Sequence, residues 1–99
     1  MTKVVLQGHI TVPEDKLAEV ERALVEHIAL TRQEPGCLVF EVEHSIAQRG
    51  KFEVYEEFVD AAAFAAHQRR VASSPWGELT AGMAREYSVT GLEEDDAAV

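Results

Sequence analysis

A single histidine on an otherwise apolar helical stripe is the feature of this sequence best suited to chemistry. His67 stands in the run AAFAAHQRR, residues 62–70. Phe64, His67 and Val71 recur at helical spacing and so share one helix face. An imidazole changes charge near neutral pH and can act as a general base. Spacing alone leaves two interpretations open: a structural histidine bonded to a backbone carbonyl, or a base that faces a cavity.

Other ligand and nucleophile types show no pattern typical of a metal or covalent site. The four histidines, at positions 9, 27, 44 and 67, form no H-x-x-x-H pair and no cluster with the lone Cys37. We therefore expect no metal. A free cysteine is more often a small buried side chain than a nucleophile. No glycine-rich dinucleotide or phosphate loop is present, so nothing supports a nicotinamide or flavin cofactor.

Carboxylates are numerous on the predicted hairpin, and most are expected to form a solvated rim of the sheet. The exception is Glu56, which lies two residues before Phe58 and would need a partner if it faces inward. The sequence does not fix which sheet face His9 and His44 occupy.

Length and charge restrict the partners and the location. Ninety-nine residues make one domain, and 18 acidic residues against 9 basic ones give a formal net charge of -9. Such a field repels phosphate backbones, so we expect no nucleic acid partner. No stretch approaches the roughly 20 apolar residues that span a bilayer, and no signal-peptide pattern is visible. A single cysteine fits a reducing compartment, and we expect a cytoplasmic protein.

Periodicity and turn residues predict the elements that must position these side chains. Strands are predicted over residues 3–12, 37–46, 51–59 and 83–92. A first helix is predicted from Pro13 to the Pro35-Gly36 pair, with Thr11 and Glu14 at capping-box spacing. A second helix is predicted over 60–74 with Asp60 as its N-cap, and a short helical turn follows Pro75.

The order β-α-β-β-α-β is that of the ferredoxin-like α+β fold, with both helices on one face of a four-stranded antiparallel sheet. We expect one domain over residues 1–92 and an acidic tail over 93–99. The strands carry apolar side chains of both parities, including Val4, Leu6 and Ile10 against Val5, and Leu38, Phe40 and Val42 against Cys37 and Val39. An apolar second face predicts a homodimer with facing sheets. The alternative is a monomer whose second face is only mildly apolar.

Five stretches of the chain resemble one protein family: EPGCLVFEVE (34–43), FEVYEEF (52–58), DAAAFAAH (60–67), SSPW (73–76) and REYSV (85–89). Over about residues 3–92 the chain resembles the antibiotic biosynthesis monooxygenases. The resemblance implies a dimeric α+β barrel. Family members include oxygenases that oxidise quinols or polycyclic phenols without metal or flavin. For this chain it implies a cofactor-independent monooxygenase that uses molecular oxygen on a small aromatic molecule.

The resemblance also assigns roles to residues. His67 occupies the position of the family's helical histidine and would be the base or a hydrogen-bond partner. Arg70 would stabilise an oxyanion if it curls inward. The wall of a substrate slot would be formed by Tyr55, Phe58, Phe64 and Trp76.

This sequence also departs from the family pattern. The haem-degrading branch has an asparagine where this chain has Gly8 and a histidine where it has Gly77, so haem degradation is not expected. Many relatives carry a histidine near Pro75-Trp76, and without it a two-histidine relay is not expected. Two rival functions remain: a ligand-binding or stress-related module that binds an aromatic molecule without turnover, and an accessory dimerisation domain with a filled cavity.

Overall fold

The strands and helices of the computed structural model, which describes residues 2–92, follow one another in the order that the sequence predicts. The strands are β1 (Val4–Thr11), β2 (Cys37–His44), β3 (Lys51–Phe58) and β4 (Arg85–Thr90). The helices are α1 (Leu17–Arg32), α2 (Ala61–Ala72) and the short α3 (Pro75–Thr80). The predicted acidic tail lies outside the described residues.

The strands form one antiparallel sheet in the order β2-β3-β1-β4. This arrangement confirms the ferredoxin-like α+β fold. Leu6 of β1 lies opposite Glu56 of β3 and Val89 of β4. Because side chains alternate across a strand, this register places Leu6 and Glu56 on the same face of the sheet.

Of the two predicted helix N-caps, the one before α1 is absent from the described residues and the one before α2 is present. Thr11 belongs to β1, and a 3-10 turn over Glu14–Lys16 precedes α1 with no side-chain cap from the described residues. The predicted capping box of Thr11 and Glu14 is therefore wrong. Asp60 does cap α2, because its carboxylate accepts a hydrogen bond of 2.8 Å from the Ala63 N–H.

The hydrophobic core lies between the helices and one face of the sheet. The α1 stripe that faces it consists of Leu17, Val20, Leu24, His27 and Thr31. Phe64 and His67 are the buried residues of α2. The strands contribute Val4, Leu6, Ile10, Phe40, Val42, Phe52, Val54 and Phe58. Full burial of each large aliphatic or aromatic side chain stabilises the fold by roughly 1.5–3 kcal/mol. Two histidines thus stand on helix faces that otherwise pack a core.

The opposite face of the sheet, here called the outer face, is mostly polar, which corrects the prediction of a second apolar face. The alternation along the paired strands gives this face Gln7, His9, Glu53, Tyr55 and Glu57, with Val5 and Val39 only partly buried. The sequence predicts that Leu38 shares a sheet face with Phe40, and this prediction is wrong. A bulge between Cys37 and Val39 shifts the register there and leaves Leu38 54% exposed.

Candidate active site

A cavity of about 310 Å³ opens between the helix-covered face of the sheet and helices α2 and α3. Its walls include His27, Glu56, His67, Trp76, Thr80 and Tyr87. We call it the helix-side cavity. Its lining combines apolar and aromatic side chains with ionisable groups, which is the composition expected of a small-molecule site.

His67 is buried at the wall of this cavity with only 3% of its surface exposed. Its Nδ1 lies 2.8 Å from a carboxylate oxygen of Glu34. Since a carboxylate accepts hydrogen bonds, this contact places the imidazole proton on Nδ1 and leaves the Nε2 lone pair free. The Nε2 atom lies 3.8 Å from Oε1 of Glu56.

Glu34 is held in place from two directions. The Arg70 guanidinium donates from Nε to the second oxygen of Glu34 and from Nη2 to the Thr31 hydroxyl at 2.9 Å. Glu34 opens the Glu-Pro-Gly turn after α1, and Gly36 in that turn has a φ of +88°. A Cβ on Gly36 would come within 2.6 Å of Ala63 on α2, so only glycine allows this close approach.

Glu56 faces inward from β3 between Val54 and Phe58, and 7% of it is exposed. Its Oε1 is buried and has no hydrogen-bond partner among the described residues. Burial raises the pKa of this carboxyl to about 7, and the nearby Glu34 charge contributes to the increase. The group is therefore partly protonated at neutral pH.

His27 of α1 stacks on Trp76 of α3, with ring centroids 4.6 Å apart and planes 5° from parallel. Burial lowers the pKa of His27 to about 3, with smaller contributions from His67 and Arg70. The imidazole is therefore neutral at physiological pH. Its Nδ1 is buried without a partner among residues 2–92.

The electrostatics of His67 suit a base. Burial lowers its pKa below the ordinary value of 6.5, and the hydrogen bond to Glu34 opposes that shift. The neutral form therefore predominates at neutral pH. A neutral imidazole whose Nδ1–H is fixed and whose Nε2 faces a cavity can accept a proton from a bound hydroxyl.

The structure brings some of the predicted site residues together and separates others. Trp76 lines the cavity with His67. Phe58 packs behind the His67 ring at 4.9 Å between centroids, and Phe64 packs on Phe58 at 5.8 Å. These two phenylalanines support the histidine from the core. Arg70 directs its Nε and Nη2 at Glu34 and Thr31 and is not among the residues that line the cavity.

Tyr55 is not brought to this group. It lies on the outer face, where its hydroxyl donates a hydrogen bond to Glu57. The other two histidines are also elsewhere: His9 lines an outer-face groove, and His44 contacts Glu21 of α1 at 3.2 Å.

Sequence reasoning missed Glu34, His27 and Tyr87 as members of the site. His27 had a usable signal, because Val20, Leu24, His27 and Thr31 share helical spacing. Glu34 had no signal in the sequence, because a turn positions it and it is 33 residues away from its partner His67. Glu56 was singled out as needing a partner if it faces inward, and it does face inward.

A larger groove of about 730 Å³ crosses the outer face. It is lined by side chains such as Gln7, His9, Glu43, Lys51 and Ser88. The helix-side cavity is smaller, but its carboxyl and imidazoles are buried and have shifted pKa values, which is a more specific sign of a reactive site. Within residues 2–92 no group of three or more His, Cys, Asp or Glu side chains could hold a metal ion. None of the helices in that range is long and apolar enough to cross a membrane.

This fold and site are those of a small α+β domain with a buried imidazole–carboxylate pair at a cavity. A profile of the family described as antibiotic biosynthesis monooxygenase matches residues 3–76. The chain belongs to this family.

Solved structures show the same fold. A candidate antibiotic biosynthesis monooxygenase from Nitrosomonas europaea is 24% identical with a TM-score of 0.79, covering 91% of this chain and 89% of that one. MupZ from Pseudomonas fluorescens is 24% identical with a TM-score of 0.77, covering 99% of this chain and 76% of that one. A further candidate monooxygenase from Caulobacter crescentus is 21% identical with a TM-score of 0.71, covering 91% and 89%. No curated protein matches the chain.

Proposed function

We propose that this protein is a monooxygenase that oxidises a quinol or aromatic phenol with molecular oxygen and without a cofactor. One observation carries the proposal. His67 has its Nδ1–H fixed by Glu34 and its free Nε2 on a cavity of about 310 Å³. Family membership supports the oxygenase class, and two of the three structures described above carry the family's name.

The chemistry needs a base and a dry cavity more than it needs bound electron carriers. His67 Nε2 removes the phenolic proton, and the electron-rich phenolate passes one electron to dioxygen. The two radicals join at an unsubstituted ring carbon, para to the oxygen in a phenol and ortho to it in a quinol, and the proton held by His67 moves to the new peroxide. Loss of the hydrogen on that carbon as a proton, with cleavage of the O–O bond, releases water and leaves a quinone. One phenol and one dioxygen thus give one quinone and one water.

The lining suits a neutral aromatic ligand. Leu6, Val71 and Trp76 offer apolar surface, and the volume lies at the small end of the range for ligand sites. The net charge of -9 disfavours anionic substrates. A planar phenol that is neutral on entry and charged only after it meets His67 fits both conditions.

Oxygen consumption tests the proposal. Wild type, His67→Ala and His9→Ala would be compared on anthrone, naphthol and hydroquinone, with a protein-free blank for autoxidation. We expect uptake above the blank that falls by about 10²–10⁴ in His67→Ala, the contribution typical of a general base. His9→Ala removes a histidine from the outer face and should keep wild-type uptake.

The rival from another class is a module that binds an aromatic molecule and does not turn it over. It would show saturable ligand binding with oxygen uptake equal to the blank for every substrate. That result would contradict the oxygenase proposal and leave the cavity as a binding site.

We also propose that the protein is a homodimer and that it is located in the cytoplasm. The dimer rests on the family resemblance and on the open edges of β2 and β4, which a second chain could cover. The outer face of the sheet is mostly polar and gives the dimer no support. Sedimentation equilibrium of the full chain tests it, and a monomer mass at micromolar concentration would contradict it.

A further inference from the structure

A second acid–base group lies in the helix-side cavity beside the proposed base. Glu56 is 7% exposed, and its Oε1 has no hydrogen-bond partner among residues 2–92. A buried polar atom without a partner costs about 1–3 kcal/mol. Phe58 and Val54 flank Glu56 on the same face of β3, so an apolar side chain would pack there at no such cost.

The position of Glu56 Oε1 indicates which hydrogen-bond partner it could have. Oε1 of Glu56 and Nε2 of His67 are 3.8 Å apart, too far for a direct hydrogen bond. Both residues line the cavity. One ligand oxygen placed between them can lie at about 2.8 Å from each atom. The two groups therefore form a pair of contacts for a single oxygen atom.

We propose that Glu56 is the general acid of this site: it donates a proton to the oxygen of the bound molecule while His67 accepts one. This inference rests on the proposed function and deepens it. When the O–O bond of the peroxide breaks, the Glu56 carboxyl gives its proton to the departing oxygen, which leaves as water. His67 takes the proton released by the ring carbon. That proton then passes from His67 to the Glu56 carboxylate, and both groups return to their starting forms.

Charged and titratable groups face Glu56 from each element packed against it. They are His67 from α2, His27 from α1, Glu34 from the turn after α1, Cys37 from β2, and Arg85 and Tyr87 from β4. Burial raises the pKa values of Cys37 and Tyr87, so both stay neutral near pH 7. Burial lowers the pKa of His27 to about 3. The alkaline limb of activity is thus assigned to Glu56 and the acid limb to His67.

The first test is the pH profile of oxygen uptake with naphthol. Wild-type kcat/KM should fall on the alkaline side near pH 7, where Glu56 of the free enzyme loses its proton. Glu56→Gln keeps the shape and hydrogen-bonding capacity but cannot give a proton, so kcat should fall about 10²-fold and the alkaline limb should vanish. Glu56→Asp should retain the limb with reduced kcat. Glu53→Gln on the same strand but on the outer face is the matched control and should behave as wild type.

The second test does not need turnover. Trp76 is the only tryptophan in the chain and lines the cavity, so quenching of its fluorescence reports quinone binding there. Naphthoquinone accepts hydrogen bonds only, and protonated Glu56 can donate one. Wild type should bind naphthoquinone more weakly as the pH rises through about 7. Glu56→Gln, whose amide always donates, should bind it equally at all pH values.

The two tests separate this inference from the proposed function. One outcome is that the wild type consumes no oxygen but binds the quinone in a pH-dependent way, and that Glu56→Gln removes this pH dependence. That outcome would support Glu56 as a donor and contradict the oxygenase reaction. Normal uptake in Glu56→Gln with an unchanged pH profile would overturn the inference and leave the oxygenase intact. Quinone binding that is absent, or pH-independent in wild type, would also overturn it.

Discussion

Glu56 and Glu57 are neighbours on β3, yet the two faces of the sheet give them opposite properties. Glu57 lies on the outer face, where the Tyr55 hydroxyl and the Lys3 ammonium hold its pKa below the ordinary value. Glu56 lies on the helix-covered face, where burial raises its pKa to about 7. A step of one residue along a strand therefore separates an ion-paired carboxylate from a candidate acid.

The same contrast holds for histidines and ion pairs. His9 lines an open groove on the outer face, and His67 is buried against Glu34 on the other. Desolvation strengthens each electrostatic contact on the helix side, whereas solvent screens those on the outer side. The chemistry is therefore expected on the helix side, although the outer groove is the larger.

The largest difference should come from removing one carboxylate of a pair on each face. Glu34→Ala leaves His67 Nδ1 and the Arg70 guanidinium without their common partner, and it should lower the free energy of unfolding by about 3 kcal/mol. Glu57→Ala removes the partner of the Lys3 ammonium and of the Tyr55 hydroxyl on the outer face and should cost only a small fraction of that free energy. Urea unfolding at pH 7 measures both. Equal losses would contradict the contrast between the faces.

Glu56→Gln should stabilise the fold at alkaline pH. The folded-state pKa of about 7 lies above the unfolded value of 4.5, so the folded state holds the proton more tightly and loses stability as the pH rises through that window. At about pH 8 the ionised carboxyl costs about 3 kcal/mol that Gln does not. At pH 4, where both states are protonated, the variant should gain little. Thermal unfolding at the two pH values checks this. A gain of equal size at both would contradict the assigned ionisation.

His27→Phe should remove part of the acid sensitivity of the fold. The folded-state pKa of about 3 lies below the unfolded value of 6.5, so the unfolded state binds a proton first and stability is lost as the pH falls below 6.5. Between about pH 7 and pH 5 this histidine accounts for about 2 kcal/mol of that loss. The Phe ring can keep the stacking on Trp76. Urea unfolding of both proteins at both pH values tests it, and parallel losses would be the contrary result.

Tyr55→Phe should have the smallest effect. The hydroxyl contacts Glu57 on the outer face and lies away from the helix-side cavity. Oxygen uptake should match wild type, and thermal unfolding should differ by less than for Glu34→Ala, Glu56→Gln and His27→Phe. A large loss of uptake would return Tyr55 to the substrate slot, as the family resemblance implies.

Local patterns predicted most of the fold but only part of the site. The strands, the helices and the Asp60 cap are encoded in alternation, helical spacing and cap chemistry, and His67 was visible on its stripe. The bulge at Leu38 was not predictable, because a one-residue shift reverses the face of a side chain without changing composition. Glu34 was not predictable either, since a glycine turn brings it to His67 from a distant part of the chain.

Oxidation of 1-naphthol under isotopically labelled dioxygen tests the central claim most directly. Mass spectrometry of the naphthoquinone formed by wild type, His67→Ala and His9→Ala gives the origin of the oxygen and the rate together. We expect one labelled oxygen atom per quinone, formed well above the protein-free rate by wild type and His9→Ala and at the protein-free rate by His67→Ala. Quinone that carries no label, or an equal rate in all three proteins, would contradict a monooxygenase reaction at the helix-side cavity.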